Sequence, residues 1–351
     1  MEIFDLMSER GHEQLVFWND PDIGYRGIIA IHDTTMGPAL GGTRFWNYES
    51  DREAVVDALR LSRGMTYKAA ITGLNLGGGK SVIWGDNKTI DREMIFRAHG
   101  RAVESLAGRY ITAEDVGTSP DDMEFVSMET EHVVGLLGRS GDPSPVTAYG
   151  VYRGIKASAA VRYGSDALSG KRVVVQGLGH VGYHLCEDLA AEGAVLTVTD
   201  IDPERVQRAV DDFDAETVAP DDVYEVDGDI FAPCALGAVI NDDTIDRLKY
   251  AIIAGAANNQ LANGEVHGQA LSERGILYAP DYVINAGGLI NVYGELEGWS
   301  PERSKRKAGD IYNTLLRIFG LAKAEGIATH AAANRVAEQR IQQARHLQRT
   351  W

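Results

Sequence analysis

The sequence predicts an α/β protein of two domains, the second a doubly wound parallel sheet with helices on both faces. Three observations predict it. At 351 residues the chain is long enough for about two domains with sizeable cores. From Lys171 onward, apolar strands alternate with helical segments, the pattern of a parallel sheet covered on both sides. Between the halves lies Gly138-Arg139-Ser140-Gly141-Asp142-Pro143-Ser144-Pro145, rich in Gly, Pro and Ser, after which the character of the chain changes. The domains are therefore expected at residues 1–140 and 145–327.

The elements follow in chain order. Residues 14–46 alternate short apolar runs with turn residues, and Gly27-Ile28-Ile29-Ala30-Ile31-His32 reads as a buried strand. Gly37-Pro38-Ala39-Leu40-Gly41-Gly42 reads as the loop after it. From 51 to 63, Ala54, Val55, Ala58, Leu59 and Leu61 recur at helical spacing. Gly77-Gly78-Gly79 reads as a permissive approach to Lys80, since glycine reaches positive φ and lets backbone come close to a ligand. Thr118-Ser119-Pro120-Asp121-Asp122 is a helix start, with a hydroxyl cap, proline in the first turn and acids at the positive dipole end. Strands are expected at 172–175, 195–199, 230–232, 250–253 and 276–278. A long amphipathic helix is expected from a cap at Ser300-Pro301-Glu302, and a polar helical tail at 329–349. No internal repeat or low-complexity segment is evident.

Composition narrows the function classes. A formal net charge of -17 argues against nucleic acid or an anionic membrane as partner, and makes local cations necessary if the substrate is an anion. Cys186 and Cys234 lack metal-ligand spacing and read as small buried residues in a reducing compartment. Met1-Glu2-Ile3-Phe4-Asp5 carries no signal-peptide pattern, and no apolar run is long enough to span a bilayer. A cytoplasmic location is expected.

Two lysines stand in dense local motifs, Lys68 in Arg63-Gly64-Met65-Thr66-Tyr67-Lys68-Ala69 and Lys80 after the three glycines. Brought into one cleft, they would bind an anion, and mutual repulsion would lower one pKa and free an amine as a base. Exposed surface lysines are the other reading, and spacing alone leaves both open. Gly177-Leu178-Gly179-His180-Val181-Gly182 has the context that G-x-G-x-x-G requires: a strand before, a helix after, and Asp200 closing the next strand. The first glycine permits the turn, the second lets a pyrophosphate approach, and the third lets helix and sheet pack. Asp200 would accept from an adenosine ribose and repel a 2′-phosphate, favouring NAD over NADP; Arg205 and Arg208 weaken that preference slightly. The second domain is thus a Rossmann-type nucleotide-binding domain, and hydride transfer is the natural chemistry. His180 and His184 share a helix face, but no third ligand is in sight, so no metal is expected. Asp115 either faces a cleft or caps the helix at Ser119. Asn258 and Asn259 follow an apolar strand, where either a ligand or ordinary turn hydrogen bonding would use them.

Together these residues resemble the leucine/phenylalanine/valine dehydrogenases, within the amino-acid dehydrogenase superfamily that includes glutamate dehydrogenase, and most closely the leucine-specific members. The matching blocks are His32-Asp33-Thr34-Thr35 with residues 37–42, then 59–68, 73–80, 111–117, 145–154, 177–182, 229–237 and 280–292, in family order over essentially the whole chain. The resemblance implies NAD-dependent, reversible oxidative deamination of an L-amino acid to its 2-oxo acid and ammonia. It implies that Lys68 binds the substrate carboxylate, that Lys80 is the base activating water, and that Asp115 handles protons at the substrate nitrogen and helps tune Lys80. Gly41 and Met65 would line the substrate cleft, Asn259 and Asn285 would hold substrate and nicotinamide in register, and Thr147 would lie beside the nicotinamide carboxamide. A substrate and oligomerisation domain joined by a C-terminal helix of about 328–351, an active site in the cleft between domains and a homo-oligomer, with octamer first, are implied likewise.

The family's side-chain pocket maps to Leu40, Ala113, Leu289 and Val292, all apolar, with no cation for the second carboxylate of glutamate. Ala113 matches the leucine enzymes. Leu289 and Tyr293 match relatives acting on aromatic amino acids. Leucine or another branched-chain substrate is expected, with phenylalanine or tryptophan as the alternative; one methylene is worth roughly 1–3 kcal/mol, too little to decide by inspection. A catalytically silent NAD-binding regulatory protein is disfavoured because Lys68, Lys80 and Asp115 are all retained.

Overall fold

The computed structural model describes residues 2–89, 91–136 and 142–349, so Gly138–Gly141 of the expected boundary stretch lie outside the described residues. The chain divides into two units, one of residues 1–141, 295–298 and 337–351, the other of residues 142–294 and 299–336. The sequence reading anticipated neither the return of 295–298 to the first unit nor the division of the tail at 337.

The first unit contains α1 (Ile3–Arg10), β1 (Gln14–Asp20), β2 (Tyr25–Asp33), β3 (Ala39–Trp46), α2 (Asp51–Thr72), β4 (Gly77–Trp84), α3 (Glu93–Glu104), β5 (Tyr110–Glu114) and α4 (Pro120–Ser127). Its sheet has the order β1-β2-β4-β3-β5. β2 runs antiparallel to β1 and β4, while β3 runs parallel to β4 and β5. Strand β4 is therefore central, and Lys80 sits in its middle, opposite Ala30 of β2. The expected loop at 37–42 ends early, because Ala39–Gly42 already pair with β5.

The three glycines do not use the positive φ open to them: all belong to β4 and none has positive φ. What they supply is room. A Cβ on Gly77 would strike the Asp33 carbonyl, one on Gly78 the backbone nitrogen of Thr66 on α2, and one on Gly79 the ring of Tyr110. α2 is capped by Ser50, which accepts from the Glu53 N–H, and ends at Gly73 in the left-handed region. It runs beyond the segment legible from periodicity, past Gly64, so Lys68 is a helical residue. Ala54, Val55, Ala58 and Leu59 bury against Ile28, Ala30 and Val82 of the sheet. Burying one such branched side chain stabilises by roughly 1.5–3 kcal/mol, more than the ~1 kcal/mol that a mid-helix glycine costs. On the opposite face, Ala102 and Val103 of α3 pack on Ile29, Ile31 and Tyr110.

The second unit opens with α5 (Ser144–Tyr163), β6 (Arg172–Gln176), α6 (His180–Ala191), β7 (Val195–Thr199), α7 (Pro203–Phe213), β8 (Glu216–Thr217) and β9 (Ile230–Pro233). β10 (Ile252–Ile253), α8 (Gly264–Glu273), β11 (Leu277–Tyr278), α9 (Asp281–Ile284) and α10 (Gly287–Leu296) follow, then α11 (Pro301–Gly309), α12 (Ile311–Glu325) and α13 (Thr329–Arg349). Its six strands are all parallel, in the order β11-β10-β9-β6-β7-β8. Strand order reverses at β6, and ligands of such sheets bind at the carboxyl ends beside that switch point. Val173, Val174 and Val175 are fully buried, as a strand covered on both faces requires. The expected strand at 250–253 shortens to two residues, because the Tyr250 ring stacks on Phe231 at 5.1 Å and its hydroxyl donates to the Val223 carbonyl. The helix expected from Ser300 is capped there but divides at Asp310 into α11 and α12.

From residue 337 the tail belongs to the first unit. Tyr67 donates to Glu338 at 2.7 Å, and Arg340 donates to the carbonyls of Ala70 (3.0 Å) and Leu74 (3.1 Å). A guanidinium at the last turn of α2 meets the negative end of the helix dipole.

Two glycine substitutions should separate packing from helix propensity. Gly78→Ala should destabilise by about 1–3 kcal/mol or more, because α2 would have to leave the sheet. Gly320→Ala, in α12 with open space around it, should stabilise by about 0.5–1 kcal/mol. Urea denaturation of both variants checks the opposite signs.

Candidate active site

Side chains alternate along β4, so Lys80 leaves the sheet on the face of Gly78, the face that α2 covers. It is 5% exposed. Its Nζ lies 2.6 Å from Oδ2 of Asp115, which follows the last residue of β5. The turn that holds Asp115 is well fixed: its N–H donates to Thr118 Oγ1 at 2.8 Å, the Thr118 N–H donates back to its carbonyl at 3.1 Å, and Gly117 takes positive φ. A Cβ on Gly42 of β3 would come within 2.8 Å of Asp115 Cβ, so this glycine lets the carboxylate in over the sheet. Capping of α4 falls to Ser119 and Asp122 in a reciprocal box, so Asp115 is not the cap of that helix.

Burial pushes the Lys80 ammonium below the ordinary lysine range. Asp115 and Asp57 oppose that shift, and Arg44 adds to it. Burial thus acts first on Lys80, and Arg44 is a cation that reinforces it. Burial by itself would raise the Asp115 carboxyl, but Lys80, Arg44 and the Val116 N–H together hold it below the usual range. Lys68 and Met65 are half-buried on α2, flanking Thr66, the residue packed on Gly78. Leu40 and Ala113 are buried, on β3 and β5. The Gly41 carbonyl accepts from the Tyr110 hydroxyl at 2.5 Å.

Sequence reasoning missed the groups behind Asp115. Arg44 Nε lies 3.2 Å from Asp115 Oδ2, and its Nη1 lies 2.8 Å from Asp57 Oδ2 on α2. Tyr48 donates to the same Asp57 oxygen at 2.8 Å, and Arg60 meets the other at 3.0 Å. The signal that could have found them is a lone guanidinium within the apolar and glycine run 40–45.

In the second unit the glycine loop links β6 to α6 at the switch point. Gly177 has φ 98, which other residues rarely adopt, and its N–H donates to the Thr199 carbonyl. A Cβ on Gly182 would strike the Gly177 carbonyl, whereas the space beside Gly179 holds only the end of Arg205 at 4.0 Å. The first and third glycines thus serve the fold, and the second leaves a cradle at the N-terminus of α6, beside His180 and Val181, that a side chain would fill. Asp200 ties this loop down: Oδ2 accepts from the Leu178 N–H at 2.6 Å and Oδ1 from the Asp202 N–H at 2.9 Å. Each oxygen keeps a lone pair for a ribose hydroxyl. Arg205 pairs with Asp202 at 3.3 Å and Arg208 with Asp212 at 3.6 Å, so each is compensated by an acid.

Asn285 is buried, and its Nδ2 donates to the Ala256 carbonyl (3.1 Å) and to Asn258 Oδ1 (2.7 Å). Its Oδ1 is buried with no hydrogen-bond partner among the described residues, an acceptor waiting for a donor. Asn259 is exposed in the left-handed region, and its carbonyl accepts from the Ala238 N–H. Thr147 on α5 is half-buried against Gly287 and donates to the Pro143 carbonyl. On α10, Leu289 is buried and Val292 half-buried. His180 and His184 engage different acids, Asp142 at 3.5 Å and Glu187 at 3.1 Å.

Two family models match the chain. Glu/Leu/Phe/Val dehydrogenase, dimerisation domain, matches residues 12–132, and Glutamate/Leucine/Phenylalanine/Valine dehydrogenase matches residues 197–349. The chain is 57% identical over 348 residues to leucine dehydrogenase of Bacillus subtilis (strain 168), covering 98% of this chain and 95% of that protein. It is 56% identical over 354 residues to leucine dehydrogenase of Thermoactinomyces intermedius, covering 100% and 96%. The crystal structure of L-tryptophan dehydrogenase from Nostoc punctiforme matches with a TM-score of 0.89 at 49% identity, covering 98% of this chain and 99% of that one.

The double tie at Asp200 makes a prediction independent of any ligand. Asp200→Ala should lose about 1.5–3 kcal/mol of stability, the worth of hydrogen bonds to a charged group. Thermal unfolding without nucleotide measures it.

Proposed function

The chain belongs to the glutamate/leucine/phenylalanine/valine dehydrogenase family, and we propose that it carries out the NAD-dependent, reversible oxidative deamination of L-leucine and related branched-chain amino acids. The observation that carries this reading is the Lys80–Asp115 pair at 2.6 Å, a buried lysine held against a partly exposed carboxylate. NAD, when bound, accepts the hydride from the substrate Cα. Its pyrophosphate would lie on the N-terminus of α6 at Gly179, His180 and Val181, its ribose on Asp200, and its nicotinamide near Thr147 and Asn285. The open cradle at Gly179 and the unpartnered Asn285 Oδ1 fit these places. The carboxylate of Asp200 and the compensated charges of Arg205 and Arg208 support NAD over NADP.

Lys68 anchors the substrate carboxylate, and Gly41, Met65 and Asn259 orient its backbone. Asp115 moves the proton at the substrate nitrogen. Lys80, in its neutral form, takes the proton from the water that attacks the imine carbon, and returns it as ammonia departs. Leu40, Ala113, Leu289 and Val292 meet the substrate side chain and offer no cation to a second carboxylate. The 56–57% identity to leucine dehydrogenases supports leucine first. The 49% identity to a tryptophan dehydrogenase keeps an aromatic substrate as the second reading. The protein is further proposed to be a cytoplasmic homo-oligomer with no nucleic-acid or membrane partner, an octamer first, and light scattering tests that number.

Initial rates of NAD reduction should be highest with leucine, isoleucine or valine, lower with phenylalanine or tryptophan, and negligible with glutamate. Lys80→Ala should lose at least about 10²-fold in kcat. Equal rates in that variant, or no reduction with any amino acid, would sink the reading, and faster rates with tryptophan would reassign the substrate.

The pH dependence has a definite sign. Deamination needs neutral Lys80, so kcat/KM rises with pH as the ammonium loses its proton. Because burial lowers that pKa, the rise should be complete below the ordinary lysine range. Asp115→Asn removes a charge that favours the ammonium, so its residual activity should rise at lower pH than in the wild type. A rise at or above the ordinary lysine range would contradict the assignment.

A further inference from the structure

The Lys80–Asp115 pair does not stand alone. Asp115 follows a strand end, and its side chain is 29% exposed, so burial alone does not fix its carboxylate. The same oxygen that meets Lys80 meets Arg44 Nε at 3.2 Å. The guanidinium reaches the other way through Nη1 to Asp57, which is held in turn by the Tyr48 hydroxyl and by Arg60. Lys80, Asp115, Arg44 and Asp57 thus form a row of alternating charge lying on three adjacent elements, β4, the end of β5 and β3, with α2 above.

We propose that Arg44 is a positioning residue: it holds the Asp115 carboxylate at Lys80 through the whole reaction, and Asp57 holds Arg44. The inference rests on the assignment of Lys80 and Asp115 above. Its argument is that Lys80 changes charge during the reaction while Arg44 does not. When Lys80 is neutral, its ion pair with Asp115 weakens, and the carboxylate would be free to turn. A guanidinium does not deprotonate in proteins, so Arg44 keeps Asp115 ionised and in place at that moment. Only a planar fork reaches two carboxylates from separate nitrogens; a lysine head is a single point.

Among the described residues, Asp115 beyond β5, Arg44 on β3 and Asp57 on α2 act on the charge of Lys80, and these give a signature that loss of folding does not imitate. Arg44 disfavours the Lys80 ammonium and Asp57 favours it. Removing the first should therefore move the acid limb of kcat/KM to higher pH, and removing the second should move it to lower pH.

The test is the pH profile of leucine-dependent NAD reduction by the full-length wild type and by Lys80→Ala, Arg44→Gln, Arg44→Lys and Asp57→Asn, with thermal unfolding recorded for each. Arg44→Gln is expected to lose about 10- to 100-fold in kcat, the cost of a misplaced group, with KM for leucine changed less than about threefold. Its acid limb should move up, and that of Asp57→Asn down. Arg44→Lys should restore the limb, because it restores the charge, but not kcat, because it lacks the fork. Arg44 and Asp57 variants within about twofold of wild type in kcat, or slowed with unmoved limbs, would overturn the inference while leaving Lys80 and Asp115 assigned. If Arg44→Gln does not fold, the downward move in Asp57→Asn decides. A wild type without amino-acid oxidation, or a fully active Lys80→Ala, defeats the underlying reading and this inference with it.

Discussion

The ion pair of Lys80 and Asp115 is the interaction around which the first unit is arranged. Taking an ammonium and a carboxylate out of water costs several kcal/mol each, and their attraction repays this only with good geometry and further partners. The structure supplies both. The pair is short, Arg44 and the Val116 N–H give the carboxylate more partners, and Asp57 balances the second cation. Breaking such a pair by removing one member leaves the other charge without its partner, so the arrangement is held by its own energetics.

Glycine makes the arrangement possible. Gly78 lets α2 lie on β4 at backbone distance, Gly42 lets Asp115 come over β3, and Gly79 makes room for the Tyr110 ring that holds the Gly41 carbonyl. A mid-sheet glycine weakens a strand, so three in a row at a sheet centre demand a compensating gain. That gain is close approach of backbone to backbone on both faces. The nucleotide loop uses glycine differently: Gly177 needs its positive φ, Gly182 its packing, and Gly179 its emptiness.

The two uses explain what was legible in the sequence. Gly177, Gly179, Gly182 and Asp200 act within one strand-turn-helix-strand unit, so their spacing alone reveals them. The cap at Ser119 is equally local. Gly77–Gly79 look the same on paper, but their partners, Asp33, Thr66 and Tyr110, come from other elements, and a local reading does not reveal them for that reason. The partner of Arg44 was not legible for the same cause: Asp115 is 71 positions away, and the order β4-β3-β5 brings the two together. Helix α2 was read short because Gly64 interrupts its pattern, while tertiary burial carries it on to Thr72. The tail was legible as a helix, but not its contact at Arg340 with the end of α2.

A base carried on a central strand is also a particular solution to reversible chemistry. In the proposed reaction Lys80 would take a proton in one direction and give it back in the other, which asks that its two charge states lie close in energy. Burial disfavours the ammonium and Asp115 favours it, so the two act against each other on the charge of Lys80. Opposed, the two effects leave the ammonium below the ordinary lysine range, and the paired strand holds Lys80 in place when its charge changes. A loop would reorganise around each state and stabilise both, raising the barrier between them. Preorganised dipoles and charges avoid that reorganisation at the moment of reaction, which is the physical reason for fixing this pair by strands β4 and β3 and a tied turn after β5.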